Sequence, residues 1–422
     1  MKLILTKIRS YSQIRLLYFG SMLFFFIFSL LNCIRTNGIA LYDMLVPNYN
    51  NHYWDLFTSI YHNFLRTPYK EGVIYPPGAN FICWVMSNFF SEEQYYRGVN
   101  TMRDSQTGLI IMLIFILSTM IFLIVLLNKA FNAKPFEKIL LVVTCLFSAP
   151  FIREISKINI ITLCVILTYF FLLYRNDVRG YMQILAFFCL ACAVSIKLYP
   201  VFFGLFLLKE KKWQEANTCI LIGAFVFFLP FFFFGGISGL PLMFKNILNT
   251  TTIFTESGLG FKINIANTVN ILGELLKANS SNVQLIGNIL NYFILCCAIL
   301  SFFFLHCDWK STALLSLVFL SYPSFSNSYA VLFLIPALVM FLNTEEKLTI
   351  ENIFYAVLFV LLFAPMCFGG QDIFPSLKGV TRVNLFTFIE SISIILMETA
   401  LIVEGFLQLY KKVKYPAASY GE

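Results

Sequence analysis

The chain has 422 residues, of which 59% are hydrophobic and only 12% charged, and its mean hydropathy is +0.78. Charged residues normally make up about a quarter of a soluble domain, so this composition excludes a soluble globular body and points to one integral-membrane domain over 1–422. The net charge of +8 is modest and no basic cluster is dense, which excludes nucleic acid as a partner and leaves the lipid bilayer.

Lys2, Lys7, Arg9 and Arg15 precede the first apolar run, 16–34, in the manner of a secretory leader. That run is too long for a signal core and lacks a small-residue cleavage site, so it reads as a retained membrane helix. Runs long enough, or nearly so, to cross a ~30 Å hydrocarbon core recur about twelve times. They cover 16–34, 107–128, 137–152, 158–174, 181–196, 199–208, 216–234, 286–305, 311–322, 329–342, 352–368 and 384–409. The expected fold is all-α and polytopic, with about twelve transmembrane helices. The eleven cysteines lie mostly inside these runs without metal-ligand spacing, so packing is expected of them, not a disulfide framework.

Lys and Arg set the orientation. The N-terminal segment, Lys129/Lys134/Lys138, Arg175/Arg179, Lys209/Lys211/Lys212 and Lys411/Lys412/Lys414 fall in short loops on one face. The positive-inside rule puts that face, with both termini, in the cytoplasm. Three loops then face outward, about 35–106, 235–285 and 369–383; the first two are too long for simple connections, and such loops usually carry function. A multi-pass protein of the plasma or inner membrane, with an extracytoplasmic site, is expected.

The first outer loop interrupts the apolar chain with YWDLFTSIYHNFL at 53–65. Trp54, Phe57, Ile60, Tyr61 and Phe64 recur at helical spacing, which suits a helix lying in the membrane interface. His52, Asp55, Ser59 and His62 share the opposite, polar face. A carboxylate there can meet both a lipid head group and a soluble reactant, although each of these side chains alone is ordinary at an interface. Tyr75-Pro76-Pro77 forbids helix and forces a rigid extended turn before an apolar helix at 78–90. Lys197 lies near the outer end of another membrane helix, just before Pro200, where a lysine costs roughly 2.5–3.5 kcal/mol unless it reaches water or an anion. Arg153, Glu154 and Lys157 form a basic turn at a further outer end, either a local ion-pair cluster or part of an anion site.

These features together resemble glycosyltransferase family 87, of the GT-C superfamily. The resemblance rests on an acid ahead of Tyr-Pro-Pro, a basic turn followed by Asn159, and Lys-x-Tyr-Pro before a basic inner loop. It runs from about residue 50 to about 236, and more faintly through 321–342. It implies Asp55 as the catalytic acid residue, with Tyr75, Pro76 and Pro77 in one motif and Lys197, Tyr199 and Pro200 in the other. The small residue usual before the asparagine is Ile158 here. Asp43 is a second acid in the same loop and a rival base.

The resemblance further implies transfer of a hexose or pentose, mannose favoured, from a polyprenyl-phosphate sugar to an extracytoplasmic glycan or glycolipid acceptor with inversion. Asp55 would act as base, Lys197 and Arg153 would hold the phosphate, and His52, His62, Tyr75 and Tyr199 would line the substrate site. No Asp-x-Asp nucleotide-sugar site is visible; no metal and no cofactor are expected. Loop 235–285, with Lys245, Glu256 and Lys262, is a candidate acceptor platform. A polymerase or ligase of lipid-linked oligosaccharides shares this layout. A transporter would need charges buried mid-helix, for which only Glu398 and Glu404 qualify, and preferably an internal repeat.

Overall fold

The structure, a computed structural model, describes residues 12–45, 52–256, 263–277, 280–322, 327–369 and 385–415. Lys262 and nearly all of the 369–383 loop lie outside them. Each of the apolar runs holds a helix over most of its length, and no strand occurs among the described residues. In chain order the helices used below are α1 (Gln13–Arg35), α2 (Trp54–Asn63), α3 (Pro77–Ser87), α4 (Val99–Arg103), α5 (Gln106–Ala130), α6 (Pro135–Leu146) and α7 (Ala149–Lys157). They continue with α8 (Ile161–Tyr174), α9 (Gly180–Ile196), α10 (Trp213–Phe228), α11 (Ser280–Phe302), α12 (Asp308–Ser321), α13 (Ile350–Phe363) and α14 (Leu385–Lys414).

The expected count of about twelve spans is not reached by helices of full spanning length. Five helices among the described residues are long and apolar enough, α1, α5, α10 with its 3₁₀ extension, α11 and α14; the bent pair α6–α7 makes a sixth. Five other apolar helices run only 10–17 residues, short of the ~20 that a perpendicular crossing takes. Breaks between and inside the apolar runs are the reason: Lys197 and Leu198 separate α9 from the helical stretch Tyr199–Lys209, which Pro200 helps to open, and α13 ends at Phe363, five residues before its run does.

The chain divides into two compact units, one of 1–44, 130–151 and 257–422, the other of 45–129 and 152–256. In the second unit α8 and α10 each pack along α9, and α2 and α3 pair with each other, α3 also touching α9. The α8 sequence, ITLCVILTYFFLLY, is apolar all round and ten of its residues are buried, as suits a helix enclosed by protein. One end of this unit collects the basic loops. Arg175 Nε donates to Glu210 at 3.0 Å, Lys212 Nζ to Asn176 at 2.5 Å, and Lys129 lies 5.2 Å from the centre of the Tyr174 ring. The opposite end, a helix length of ~21 Å away along α8, carries Asn159 and, at the end of α9, Lys197.

In the first unit α12 is buried along its whole length after Asp308. Its Lys310 ammonium pairs with both Glu351 of α13 and Glu404 of α14, and Tyr355 donates to Glu404 at 3.3 Å. Glu398, the other mid-helix acid of α14, accepts from Ser321 at 3.0 Å. Asp43 is committed to the backbone: its Oδ2 accepts the N–H groups of Phe368 and Gly369 at 2.6 and 2.9 Å.

Candidate functional site

Two strained residues create the site. Tyr53, before α2, and Ile158, after α7, have φ of +58° and +48°, a left-handed conformation that costs L-residues roughly 1–2 kcal/mol. Tyr53 N–H donates to the Ser156 carbonyl at 2.9 Å, so the start of α2 is hooked to the end of α7. A positive φ at 158 explains why a small residue suits this position; here a buried isoleucine bears the strain.

The turn at Ile158 delivers Asn159, 1% exposed, into the gap between α2 and the Tyr75 turn. An amide nitrogen has two protons, and both are used: Nδ2 donates to Asp55 Oδ2 at 2.8 Å and to the Tyr75 phenol at 3.1 Å. Lys157 Nζ stands 3.7 Å from the other oxygen, Asp55 Oδ1. The carboxylate is thus oriented from both sides, with its side chain still 16% exposed.

Tyr75 is fixed from its backbone as well. Pro77 opens α3 as its first residue, a place where a missing N–H costs nothing. Asn80, fully buried, donates to the Tyr75 carbonyl at 3.0 Å and accepts from Asn63 at 3.2 Å; Asn63 also donates to the Ser59 carbonyl. Ser59 in turn donates to the Asp55 carbonyl at 2.7 Å, so a run of hydrogen bonds leads from Asp55 through α2 and α3 to Tyr75, and Asn159 closes it. Gly78 lets α3 meet the end of α9, since a β-carbon there would fall 2.8 Å from the Ser195 carbonyl oxygen.

That contact places Lys197 two residues further on, its Nζ 4.2 Å from the centre of the Tyr75 ring. Its charged neighbours are Asp55 and Glu154, but among the described residues no carboxylate lies within ion-pair distance. Burial pulls the Lys197 ammonium below the ordinary lysine range, and the Asp55 charge opposes this. Burial also pushes the Tyr75 phenol up, so it stays neutral and can accept from Asn159.

The structure thus gathers Asp55, Tyr75 and Lys197, with Tyr199 within electrostatic reach of Tyr75 and Glu154. The expected basic turn is a helix, α7. It brings Lys157 to Asp55, while Arg153, 5% exposed, lies one turn earlier on the same helix. Ser59 is a correction: it is 4% exposed, not on a solvated face, because its hydroxyl is satisfied within its own helix. The His52 carbonyl accepts from Arg103 at 3.4 Å, and the His62 ring packs edge-on against Tyr61, burial lowering its basicity against the opposing charge of Glu71. Sequence reasoning missed the positioning pair Asn63–Asn80, and it left Arg153, Glu154 and Lys157 as either a local ion-pair cluster or part of an anion site. Glu154 instead accepts from Thr162 at 3.1 Å and faces the site. Among the described residues, no group of three or more His, Cys, Asp or Glu is arranged to hold a metal ion.

An all-helical integral membrane protein with a carboxylate and two ammonium groups gathered at one end of a helical unit is the class that emerges. The chain belongs to glycosyltransferase family 87, whose family model matches residues 74–365, well over half its length, and it is a membrane glycosyltransferase. The match takes in Tyr75, Arg153, Asn159, Lys197 and Tyr199 and begins after Asp55. Neither the curated proteins nor the solved structures give a match.

Proposed function

We propose that the chain transfers a hexose or pentose, mannose favoured, from a polyprenyl-phosphate carrier to a glycan or glycolipid acceptor outside the cytoplasm, with inversion. The observation that carries this is the pairing of an oriented carboxylate, Asp55, with a lysine, Lys197, that has no ion-pair partner among the described residues. Asp55 takes the proton of the acceptor hydroxyl. The acceptor oxygen attacks the anomeric carbon from the face opposite the phosphate, and the bond from that carbon to the phosphate oxygen breaks. The polyprenyl phosphate leaves with the electron pair and one more negative charge than it brought. Lys197, with Lys157 beside Asp55 and Arg153 one turn earlier on α7, stabilises that charge, a contribution that is often the largest in such reactions. Tyr75 is the ring against which the lysine is held, and Tyr199 lies within electrostatic reach of Tyr75.

The location follows from charge. The end of the unit opposite the site gathers Lys129, Arg175 and Lys212 and is assigned to the cytoplasm, which leaves the site outside. Nucleotide sugars are cytoplasmic, so a sugar used there arrives on a lipid whose phosphate sits at the depth of the helix-end cations. The test is purified protein in liposomes, offered each sugar as the nucleotide or as the polyprenyl phosphate. A cysteine introduced at exposed Lys70 is labelled from each side in parallel. Transfer from polyprenyl-phosphate sugars with outside labelling is expected; transfer from nucleotide sugars alone, or labelling only from the cytoplasmic side, overturns the reading.

A further inference from the structure

Beside the Asp55 end of α2 lies a recess of about 280 Å³ that the chemistry above does not use. His52, Tyr53, Arg103, Asp104, Ser105 and Gln106 form its polar part, and Leu109 and Met112 its apolar wall. It is a built feature. Arg103, 7% exposed, holds Asp104 through two parallel bonds, Nε to Oδ1 at 2.8 Å and Nη2 to Oδ2 at 3.2 Å, and reaches the His52 carbonyl through Nη1. Ser105 caps the start of α5 by accepting from Gly108 N–H at 3.0 Å. The corner between α4 and α5 is so tight that a β-carbon at Gly108 would lie 2.7 Å from the Arg103 carbonyl oxygen. Tyr53 joins the recess to the site, because its N–H is the hook onto Ser156, and Asp55 follows two residues later.

We infer that this recess is the acceptor subsite and that it binds a neutral sugar ring through its hydroxyl groups. The inference rests on the reading of Asp55 as the base, since an acceptor must sit within reach of it. Three features select a polyol. Among the described residues that line the recess, Arg103 and Asp104 neutralise each other in a fork, which offers a phosphate little net charge, whereas Lys157 stands beside Asp55 and Lys197 against Tyr75. The Asp104 side chain is still 50% exposed, leaving lone pairs directed to solvent that can accept from adjacent hydroxyls. Finally, a volume of 280 Å³ lies at the foot of the ~300–1,000 Å³ range of ligand pockets, room for one ring and not for a lipid chain.

The experiment needs no donor, so it can fail independently of the transfer reaction. Binding of methyl α-mannoside, methyl α-galactoside and methyl α-glucoside to the full chain in lipid nanodiscs is read by saturation-transfer NMR. At least one should bind to the wild type. Gln106→Ala, which removes one hydrogen-bonding group, and Met112→Trp, which fills the recess from its apolar wall, should each weaken it by about tenfold. The inference is overturned if no glycoside binds, if both variants bind as the wild type does, or if inorganic phosphate displaces the glycoside and so marks an anion site.

Discussion

Lys310 and Lys197 are each withdrawn from water beside two carboxylates, one lysine in each unit of the chain, yet their surroundings differ in one respect. Lys310 is closed: Glu351 and Glu404 both pair with its ammonium, and the rings of Trp309 and Tyr355 lie within 6 Å of it. Lys197 is open: it rests on the Tyr75 ring, and its nearest acids, Asp55 and Glu154, are committed to Asn159 and Lys157 on one side and to Thr162 on the other. A paired lysine joins α12, α13 and α14. Lys197 has no ion-pair partner among the described residues and lies against the largely buried Tyr75 ring, an arrangement that the proposed function uses for an anion from outside. The contrast teaches that a buried lysine is not a functional signal by itself; the state of its counter-ions decides.

The largest effect expected on the open region comes from Asp55. Asp55→Asn keeps an oxygen for Asn159 but no base, so turnover should fall by about 10²–10⁴-fold while the protein still inserts and binds carrier. Asp43→Asn should stay near wild type, because an amide oxygen can still accept from Phe368 and Gly369. Turnover kinetics on the two variants check this, and the reverse pattern would move the base to Asp43.

Next come the lysines themselves. Lys197→Met should raise the donor KM by about ten- to a hundredfold, and Lys197→Arg should restore part of the loss, since a charge over the Tyr75 ring is what the contact requires. Lys310→Met should do the opposite. It strands Glu351 and Glu404 and lowers the thermal midpoint, while the donor KM of the folded protein holds. Equal effects of the two methionine variants on KM would erase the distinction between the regions.

A smaller effect tests the mounting of the site. Gly78→Ala forces α3 away from Ser195 and with it the Tyr75 turn from Lys197, so kcat/KM should fall about tenfold with little loss of fold. The smallest effect is on pH. Burial lowers the Lys197 ammonium below the ordinary 10.5, so carrier binding should be lost as pH rises through that depressed value. The sign for stability is opposite: across the same window the folded state holds fewer protons than the unfolded, so this group's contribution to stability grows with pH. In Lys197→Arg the alkaline limb of binding should vanish, because the guanidinium stays charged.

Some of this was legible in the chain. The helical spacing of Trp54, Phe57 and Ile60, the extended turn at Tyr75-Pro76 and the position of Lys197 at the end of an apolar run each have a local cause and are kept, although Pro77, expected in the turn, opens α3 instead. The polar face of α2 misled because Ser59 satisfies its hydroxyl on its own helix and so can be buried without a partner outside it. Asn159 depends on the positive φ of Ile158, a conformation no β-branched residue advertises. The Asn63–Asn80 contact joins side chains 17 residues apart on two helices, and neither residue has a sequence signature for it. Apolar runs located the helices, but breaks such as that at Lys197 and Leu198 decided their lengths.

The central claim is that the open lysine is the carrier-phosphate site. Its most direct measurement is the affinity of a polyprenyl monophosphate for the wild type, Lys197→Met and Lys310→Met in nanodiscs at one pH and salt. The account predicts that the wild type and Lys310→Met bind alike and that Lys197→Met binds at least about tenfold more weakly, a difference of about 1.4 kcal/mol. Equal affinities for all three would contradict it.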